Sequence, residues 1–213
     1  MITLVFADDH PVTRTGIRML LSEAPDIEIV GEAENGDQVQ SLVAELRPLI
    51  LLLDLKMPGR PSAEVERWVR ANHPETTTLI LTAHDRDAYL VEIMDAGAAG
   101  LLSKEASAER LVGAIRRAVS GEILFDDQQL GRAQRWRKVA GIKWGNLTER
   151  ERQVLKLLAQ DLDKAETARR LKIVEKTVDY HISNMLPKLG FKSFKEAVVW
   201  FNTYLSDMVD HTS

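Results

Sequence analysis

The sequence predicts an α/β domain with a doubly wound, five-stranded parallel sheet, followed by a smaller all-α domain. Through residues 1–120, short apolar runs alternate with amphipathic segments of helix length, which is typical of a parallel sheet covered on both faces. Beyond Asn146 the apolar period is helical throughout. With 213 residues, the chain exceeds the commonest domain size and can hold two modest cores.

The alternation predicts five strands and five helices in the first domain. The strands are predicted at 2–7, 27–32, 49–53, 78–82 and 100–103, and the helices at 11–23, 36–46, 62–72, 85–96 and 107–120. Pro11 suits a first helical turn, and Gly97 suits the end of the fourth helix. In such sheets, ligands bind at the carboxyl ends of the strands.

Four of these strands end in residues suited to phosphoryl chemistry. Asp8 and Asp9 follow the first strand, Asp54 follows the third, Thr82 ends the fourth and Lys104 follows the fifth. Mg²⁺ prefers one or two carboxylates together with water and phosphate oxygens, so the three Asp residues predict a magnesium site. Asp54 can then attack a phosphoryl group, with Lys104 pairing with its charge and Thr82 donating a hydrogen bond. The alternative for a single strand-end Asp is a helix N-cap or a solvated turn.

The motifs at these strand ends resemble the receiver domain of two-component response regulators, which has a flavodoxin-like fold. They are Phe6-Ala7-Asp8-Asp9-His10-Pro11, Leu53-Asp54-Leu55-Lys56-Met57-Pro58-Gly59, Leu81-Thr82-Ala83-His84 and Ala96-Gly97-Ala98-Ala99-Gly100-Leu101-Leu102-Ser103-Lys104. The resemblance implies that Asp54 is the phosphoacceptor and that Asp8 and Asp9 are metal carboxylates. It also implies that Lys56 is a metal ligand through its backbone carbonyl, Thr82 the switch hydroxyl and Lys104 the phosphate partner.

Two positions depart from the receiver pattern. Leu101 stands where the family usually has a Tyr or Phe that reports phosphorylation, so part of the usual coupling is expected to be missing. Arg60-Pro61-Ser62 replaces the frequent Met-Asp-Gly after Pro-Gly, which alters the loop beside the phosphorylation site.

Composition and charge indicate the class of protein and a basic linker. The chain has no Cys, which excludes disulfides and suits a reducing cytosol. No apolar stretch approaches the roughly 20 residues of a membrane span, and the N-terminal run lacks a basic leader. We therefore expect a soluble, cytoplasmic protein without a membrane partner.

The charge balance changes along the chain. Residues 1–125, with 12 Lys/Arg and 20 Asp/Glu, form the predicted receiver. Residues 126–145, with 5 Lys/Arg and 2 Asp/Glu, form a partly helical linker. Trp136 and Trp144 in this linker are expected to pack on a domain surface, with base stacking as the alternative.

The C-terminal domain, residues 146–213, begins with a predicted capping box. Thr148 is the N-cap and Glu151 its partner three residues on. Helices are predicted at 164–171 and 175–186, joined by the tight turn Lys172-Ile173-Val174. Two short helices joined in this way predict a helix-turn-helix, whose second helix enters the major groove of DNA.

The segment from Leu147 to Val199 resembles the four-helix DNA-binding domain of LuxR-type (NarL/FixJ) regulators. The matching residues are Leu147-Thr148-Glu149-Arg150-Glu151-Arg152-Gln153-Val154-Leu155, Glu166-Thr167-Ala168-Arg169-Arg170-Leu171, Lys176-Thr177-Val178-Asp179-Tyr180-His181-Ile182-Ser183-Asn184-Met185 and Lys188-Leu189-Gly190. The two resemblances together imply a transcription factor that a sensor histidine kinase phosphorylates. They also imply that phosphorylation favours dimeric binding to double-stranded DNA.

The predicted recognition helix lacks several features that are usual in the family. Asp179 replaces a Lys that meets DNA, Ser183 stands where a basic residue is frequent, and Val174 replaces an N-cap Ser. A carboxylate that faces phosphate contributes no counterion release. Pro187 predicts that the helix stops a turn early, because an interior proline costs roughly 3 kcal/mol. The candidate DNA contacts are Lys176, Thr177, Asp179, Tyr180, Asn184 and Lys188, with a solvated face as the alternative for each.

An apolar stripe follows Gly190 and predicts an extended last helix. Its residues are Ala197, Val198, Phe201, Tyr204, Leu205 and Met208, at spacings that form one helix face. In the resembled family the last helix is a dimer seam; the alternative is that the stripe packs on its own domain. Trp200 is an added anchor in either case.

Three functions are compatible with these features. The favoured one is a phosphorylation-switched, DNA-binding regulator that is not an enzyme. The second is a regulator of the same ancestry that has lost specific DNA binding and acts through protein contacts, as Asp179, Ser183 and Pro187 would allow. The third is a hydrolase with an aspartyl-phosphate intermediate, which is disfavoured because Lys56 stands where such phosphatases place a second Asp.

Overall fold

The structure of the chain is a computed structural model that describes residues 1–83 and 86–205. The chain divides into two compact units, Met1–Leu130 and Gly131–Ser213. Residues 127–145, which the sequence places in a partly helical linker, are helical along their whole length. From Gly131 onward they belong to the second unit.

The first unit is built on a five-stranded parallel sheet. Its strands are β1 (Ile2–Ala7), β2 (Ile27–Ala33), β3 (Ile50–Leu53), β4 (Thr77–Thr82) and β5 (Gly100–Ser103). They pair in the order β2-β1-β3-β4-β5, which confirms the predicted doubly wound fold. The strand order reverses between β1 and β3, the position at which such sheets bind ligands.

Five helices cover this sheet. They are α1 (Pro11–Leu21), α2 (Gly36–Leu46), α3 (Ser62–Asn72), α4 (Asp87–Ala96) and α5 (Ala108–Val119). Pro11 is at the start of α1, and Gly97 ends α4 with a φ of 112°, a left-handed conformation that favours glycine. The predicted start of the fourth helix, at 85, lies outside the described residues.

The three central strands of the sheet, β1, β3 and β4, have no exposed residues. All four residues of β3 are fully buried, and in β1 Leu4 and Phe6 join a core cluster with Ile115 of α5. Full burial of an aliphatic or aromatic side chain contributes about 1.5–3 kcal/mol. The strand ends are therefore held firmly, and so are the residues that follow them.

The second unit is helical. Its elements are α6 (Asp127–Trp136), which begins just before the boundary, a π-helical segment (Arg137–Gly141), α7 (Ile142–Gly145), α8 (Glu149–Ala159), α9 (Lys164–Leu171), α10 (Glu175–Leu189) and α11 (Phe194–Tyr204). Trp144 is buried against Phe201, with ring centroids 5.7 Å apart. Trp136 is also buried and its Nε1 donates to the Tyr204 carbonyl at 3.3 Å. Both tryptophans thus pack on the domain, as expected.

Local sequence signals explain how the helices of the second unit begin. The predicted capping box is present: Glu151 N donates to Thr148 Oγ1 at 3.3 Å, and Thr148 N donates to Glu151 Oε2 at 2.7 Å. Asp163, which the sequence analysis did not single out, caps α9 by accepting from Glu166 N. Val174 provides no side-chain cap for α10.

The prediction that Pro187 stops the recognition helix a turn early is wrong. Helix α10 continues through Pro187 to Leu189 and ends at Gly190, which has a φ of 72°. Pro187 lies in the last turn, where it lacks the N–H that would bond to the Ser183 carbonyl, and the buried Met185 and Leu189 hold that turn on the core. The packing of these two side chains offsets the cost of the proline.

The apolar stripe of the last helix packs largely within its own unit. Phe201 and Leu205 are buried, whereas Tyr204 is 40% and Val199 59% exposed. Helix α11 ends at Tyr204. The part of the predicted extension from 206 to 208 lies outside the described residues. The intradomain alternative accounts for Phe201 and Leu205.

Candidate acidic site and helix-turn-helix surface

The carboxyl end of the sheet brings the predicted acidic residues and the lysine together. Asp54 N donates to the Ala7 carbonyl at 2.8 Å, and Lys104 N donates to the Thr82 carbonyl at 2.9 Å. Strand pairing thus continues one residue beyond β3 and β5. It fixes the backbone of Asp54 at the crevice where the strand order reverses and that of Lys104 beside the end of β4.

Lys104 bridges two buried carboxylates. Its Nζ lies 2.7 Å from Asp8 Oδ2 and 2.8 Å from Asp54 Oδ2, and Asp8 and Asp54 are 0% and 3% exposed. Burial raises the pKa of Asp54, and the opposing hydrogen bond and charge of Lys104 do not cancel this effect. One ammonium group faces two carboxylates, so the site retains an excess of negative charge.

The geometry suits a hard divalent cation. Asp8, Asp9, His10 and Asp54 each offer a ligand atom, and these atoms lie within 4.8 Å of one another. Asp54 Oδ1 is buried and has no hydrogen-bond partner among residues 1–83 and 86–205. A buried carboxylate oxygen without a partner is costly, and clustered carboxylate oxygens are the ligands that Mg²⁺ takes. The residues present therefore fit a magnesium ion.

His10 is a member of this cluster that the sequence analysis missed. Its Nδ1 lies 2.7 Å from Asp9 Oδ1, and its backbone N–H donates to Asp8 Oδ1 at 2.8 Å. The available signal was its position directly after the acid pair. The backbone N–H makes the shorter contact with Asp8 Oδ1, and the ring Nδ1 lies 3.4 Å from the same oxygen.

The altered loop after Asp54 has a specific structural role. Ser62 Oγ lies 2.8 Å from both the Asp54 and the Leu55 carbonyl oxygens, between which its single proton is shared, and Ser62 is 4% exposed. The hydroxyl therefore ties the start of α3 to the backbone of the phosphoacceptor candidate. The substitution is visible in the sequence, but this bond is not.

The other predicted site residues of the first unit lie around the cluster. Thr82 is buried at the end of β4, in register with Ser103. Lys56 follows two residues after Asp54, and its ammonium group lies 5.4 Å from the centroid of the Tyr89 ring. Leu101 is buried in β5, and its carbonyl accepts from Gln129 Nε2 at 3.1 Å.

The predicted DNA contacts all lie on α10 but differ in exposure. Lys176, Asp179 and Tyr180 are exposed, and Thr177 and Asn184 are half-buried. Asp179 pairs with Lys164 at the start of α9, with Lys164 Nζ 2.5 Å from Asp179 Oδ1. The carboxylate that stands in place of the usual lysine thus has a lysine on the neighbouring helix as its partner.

Lys188 makes an ion pair with a buried carboxylate, whereas the partner of Asp179 is an exposed lysine. Its Nζ lies 2.8 and 2.7 Å from the two carboxylate oxygens of Glu151, which is 3% exposed. Burial opposes ionisation of Glu151, but the bonds from Lys188 and Thr148 lower its pKa. Lys188 therefore joins α10 to the capping box of α8.

Comparison with known families identifies both units. The family model of the response regulator receiver domain matches residues 4–116, and that of bacterial regulatory proteins of the luxR family matches residues 145–201. The chain is a luxR-type response regulator. Such a regulator is a transcription factor whose partners are a histidine kinase and DNA, and receiver domains bind Mg²⁺ at an acidic pocket.

Full-length relatives and solved structures resemble this response regulator. The nitrate/nitrite response regulator protein NarL of Escherichia coli (strain K12) is 38% identical over 207 residues, covering 93% of this chain and 94% of NarL. The response regulator protein VraR of Staphylococcus aureus (strain Mu3) is 33% identical over 199 residues, covering 93% of this chain and 95% of VraR. The receiver domain of the NarL regulator of Mycobacterium tuberculosis is 34% identical, with a TM-score of 0.55, and covers 57% of this chain and 98% of that one.

A more distant solved structure shares the fold. The RcsB–DNA complex is 22% identical with a TM-score of 0.60 and covers 96% of this response regulator and 98% of that chain. In the described part of the regulator, every helix is too short or too polar to cross a membrane.

Proposed function

We propose that a sensor histidine kinase phosphorylates this regulator on Asp54 and that phosphorylation changes its affinity for DNA. The observation that supports Asp54 is its buried, unpartnered Oδ1 beside Asp8 and the Lys104 ammonium. The pairing of a receiver domain with a luxR-type domain supports the switch. Since its target is DNA, we expect it to act in the cytoplasm.

Each residue of the acidic site has a distinct part in the proposed reaction. A carboxylate oxygen of Asp54 bonds to phosphorus as the bond from phosphorus to the donor atom breaks. Asp8, Asp9, Asp54 and the Lys56 carbonyl would hold Mg²⁺, which supplies positive charge to the transferred group when bound. Lys104 pairs with the phosphoryl oxygens, and the Thr82 hydroxyl donates to one of them.

Asp54→Asn should abolish phosphorylation, because the amide is not a nucleophile for the phosphoryl group. Incubation of the wild-type chain with Mg²⁺ and acetyl phosphate should add one phosphoryl group, measured by intact mass. Asp37→Asn, at an exposed position on α2, is the control and should be labelled like the wild type. Equal labelling of the Asp54 variant would contradict the assignment.

We propose that DNA binding uses the exposed face of α10. The proposed contacts are Lys176, Thr177, Tyr180 and Asn184, and Asp179 faces the phosphate backbone. Lys188 mainly stabilises the domain through its ion pair with Glu151. In domain terms, residues 1–125 act as the receiver, 126–145 connect the domains and 146–213 bind DNA. We further propose that the activated form is a homodimer, with Val199 and Tyr204 exposed on α11 as its apolar contacts.

Asp179→Lys should tighten binding to almost any duplex. The substitution replaces a repulsive charge with an attractive one and releases Lys164 from its ion pair. The slope of log affinity against log salt should steepen by about one unit, since each neutralised phosphate contributes roughly 0.9. Sequence preference should change less than affinity, because phosphate contacts position the protein rather than specify the bases.

Glu45→Lys, on the exposed face of α2 in the first unit, makes the same charge change and controls for net charge. Binding is measured by fluorescence anisotropy over a range of salt concentrations. An Asp179→Lys protein with the affinity and salt slope of this control would place Asp179 away from DNA. It would then favour the alternative in which the second unit acts through protein contacts.

A further inference from the structure

A cavity lies in the first unit at the amino ends of β4 and β5, at the opposite end of the strands from Asp54. It has a volume of about 430 Å³, which is within the range of about 300–1,000 Å³ of small-molecule sites. Its walls come from α3, the first residues of β4, the turn at 97–99 and the segment 121–123. Because the strands are parallel, their amino ends lie here, away from the acidic site.

Two buried polar side chains, Glu66 and Thr78, line this cavity. They are 3% and 2% exposed, and they lie close enough for the Thr78 hydroxyl to lower the pKa of Glu66. Within the described residues, Glu66 Oε2 and Thr78 Oγ1 nevertheless lack a well-aligned hydrogen-bond partner. The neighbouring Thr76, by contrast, donates its hydroxyl to the Pro48 carbonyl at 2.7 Å. A buried polar atom without a well-aligned partner is unfavourable, so a bound group with hydrogen-bond donors would remove that cost.

A guanidinium group lies at the rim of the same cavity. Arg70 follows Glu66 by one helical turn on α3, and its Nη1 donates to the Gly97 carbonyl at 3.2 Å. A Cβ at position 97 would lie 2.6 Å from Arg70 Cδ, so a glycine at this position lets the arginine lie across the turn. The guanidinium group has five N–H donors and can bind a carboxylate with the remaining ones.

The charges of the cavity suit a ligand with two opposite charges. Among the described residues that line it, Glu66 and Arg70 carry the only charges, and residues four apart on a helix face the same side. An amine alone would satisfy only Glu66 and Thr78, and a carboxylate alone only Arg70. A molecule with both groups on neighbouring carbons would pair with both and bring no net charge into the cavity.

We infer that this cavity binds a small zwitterion of the α-amino-acid class. The ligand ammonium group donates to Glu66 Oε2 and Thr78 Oγ1, and its carboxylate accepts from Arg70. Burial raises the pKa of Glu66 to about 7. Since the ammonium group pairs with the ionised carboxylate, binding should strengthen as pH rises through this value.

The test is a titration of the full-length, ¹⁵N-labelled chain with glycine and with alanine, followed by amide chemical shifts. We expect saturable shifts at Thr76, Thr78 and Gly97. Glycine betaine has both charges but no N–H donor, methylamine lacks the carboxylate and acetate lacks the ammonium group. Each of these three probes should bind at least about tenfold more weakly, a loss of one charged contact.

Variants then connect the shifts to the cavity. Glu66→Gln and Arg70→Gln should each weaken binding by about tenfold or more. Glu64→Gln, an exposed position on the same helix, should bind like the wild type, and Thr78→Val is a second probe should Glu66→Gln fail to fold. Absence of saturable shifts with both amino acids would overturn the inference and leave a water-filled cavity. Equal binding of betaine or methylamine, or unchanged binding by Glu66→Gln, would also overturn it.

Discussion

Glu66→Gln should make the first unit more stable than the wild type above neutral pH, by up to about 3 kcal/mol. The unfolded carboxyl group loses its proton near 4.5, whereas burial keeps it protonated in the folded state up to a pKa of about 7. The folded state therefore binds more protons between these values, and the free energy of unfolding falls as pH rises through them. A shift of this size corresponds to about 3 kcal/mol at 1.36 kcal/mol per unit.

The amide cannot ionise, so Glu66→Gln should lose this pH dependence and match the wild type below the unfolded pKa. Denaturant unfolding can be followed by Trp68, the tryptophan of the first unit. Glu64→Gln should leave the pH dependence unchanged. Parallel pH profiles for the wild type and Glu66→Gln would show that Glu66 ionises as an exposed residue does.

Lys188→Met should destabilise the second unit by on the order of 2 kcal/mol. Removal of one partner from a buried ion pair typically costs 3–5 kcal/mol because the other charge is left uncompensated. Glu151 is 3% exposed, but the Lys188 side chain is 35% exposed, so water reduces the cost. Trp136, Trp144 and Trp200 report on this unit in a denaturant titration.

Lys176→Met, on the exposed face of the same helix, should change stability by less than about 0.5 kcal/mol. Glu151→Gln combined with Lys188→Met should recover part of the loss, because no uncompensated charge remains. If Lys188→Met is as stable as the Lys176 control, the pair contributes little. Lys188 would then be available to contact DNA.

The residues whose positions the sequence predicted best are those that follow strand ends. Parallel strands end at one edge of a sheet, so Asp8, Asp54 and Lys104 could be placed together from the order of apolar runs alone. The backbone bonds of Asp54 and Lys104 to neighbouring strands are the physical basis of that success.

Residues whose partners depend on helix orientation could not be predicted. Glu66 lies between the charged Glu64 and Arg67, so its local sequence is typical of a solvated face, and only the packing of α3 buries it. The Lys164–Asp179 pair depends on the angle between α9 and α10. The bonds from Ser62 to the Asp54 backbone depend on the path of the loop, which a single sequence does not specify.

The most direct test of the proposed switch compares DNA binding with and without a phosphoryl mimic at Asp54. Anisotropy titrations with the duplex upstream of the regulator's own gene should show tighter binding when Mg²⁺ and beryllofluoride are added to the wild type. Asp54→Asn should show no change on the same addition, and Asp37→Asn should respond like the wild type. The same affinity for wild-type protein with and without beryllofluoride would contradict phosphorylation-switched DNA binding, as would an equal gain in the Asp54→Asn protein.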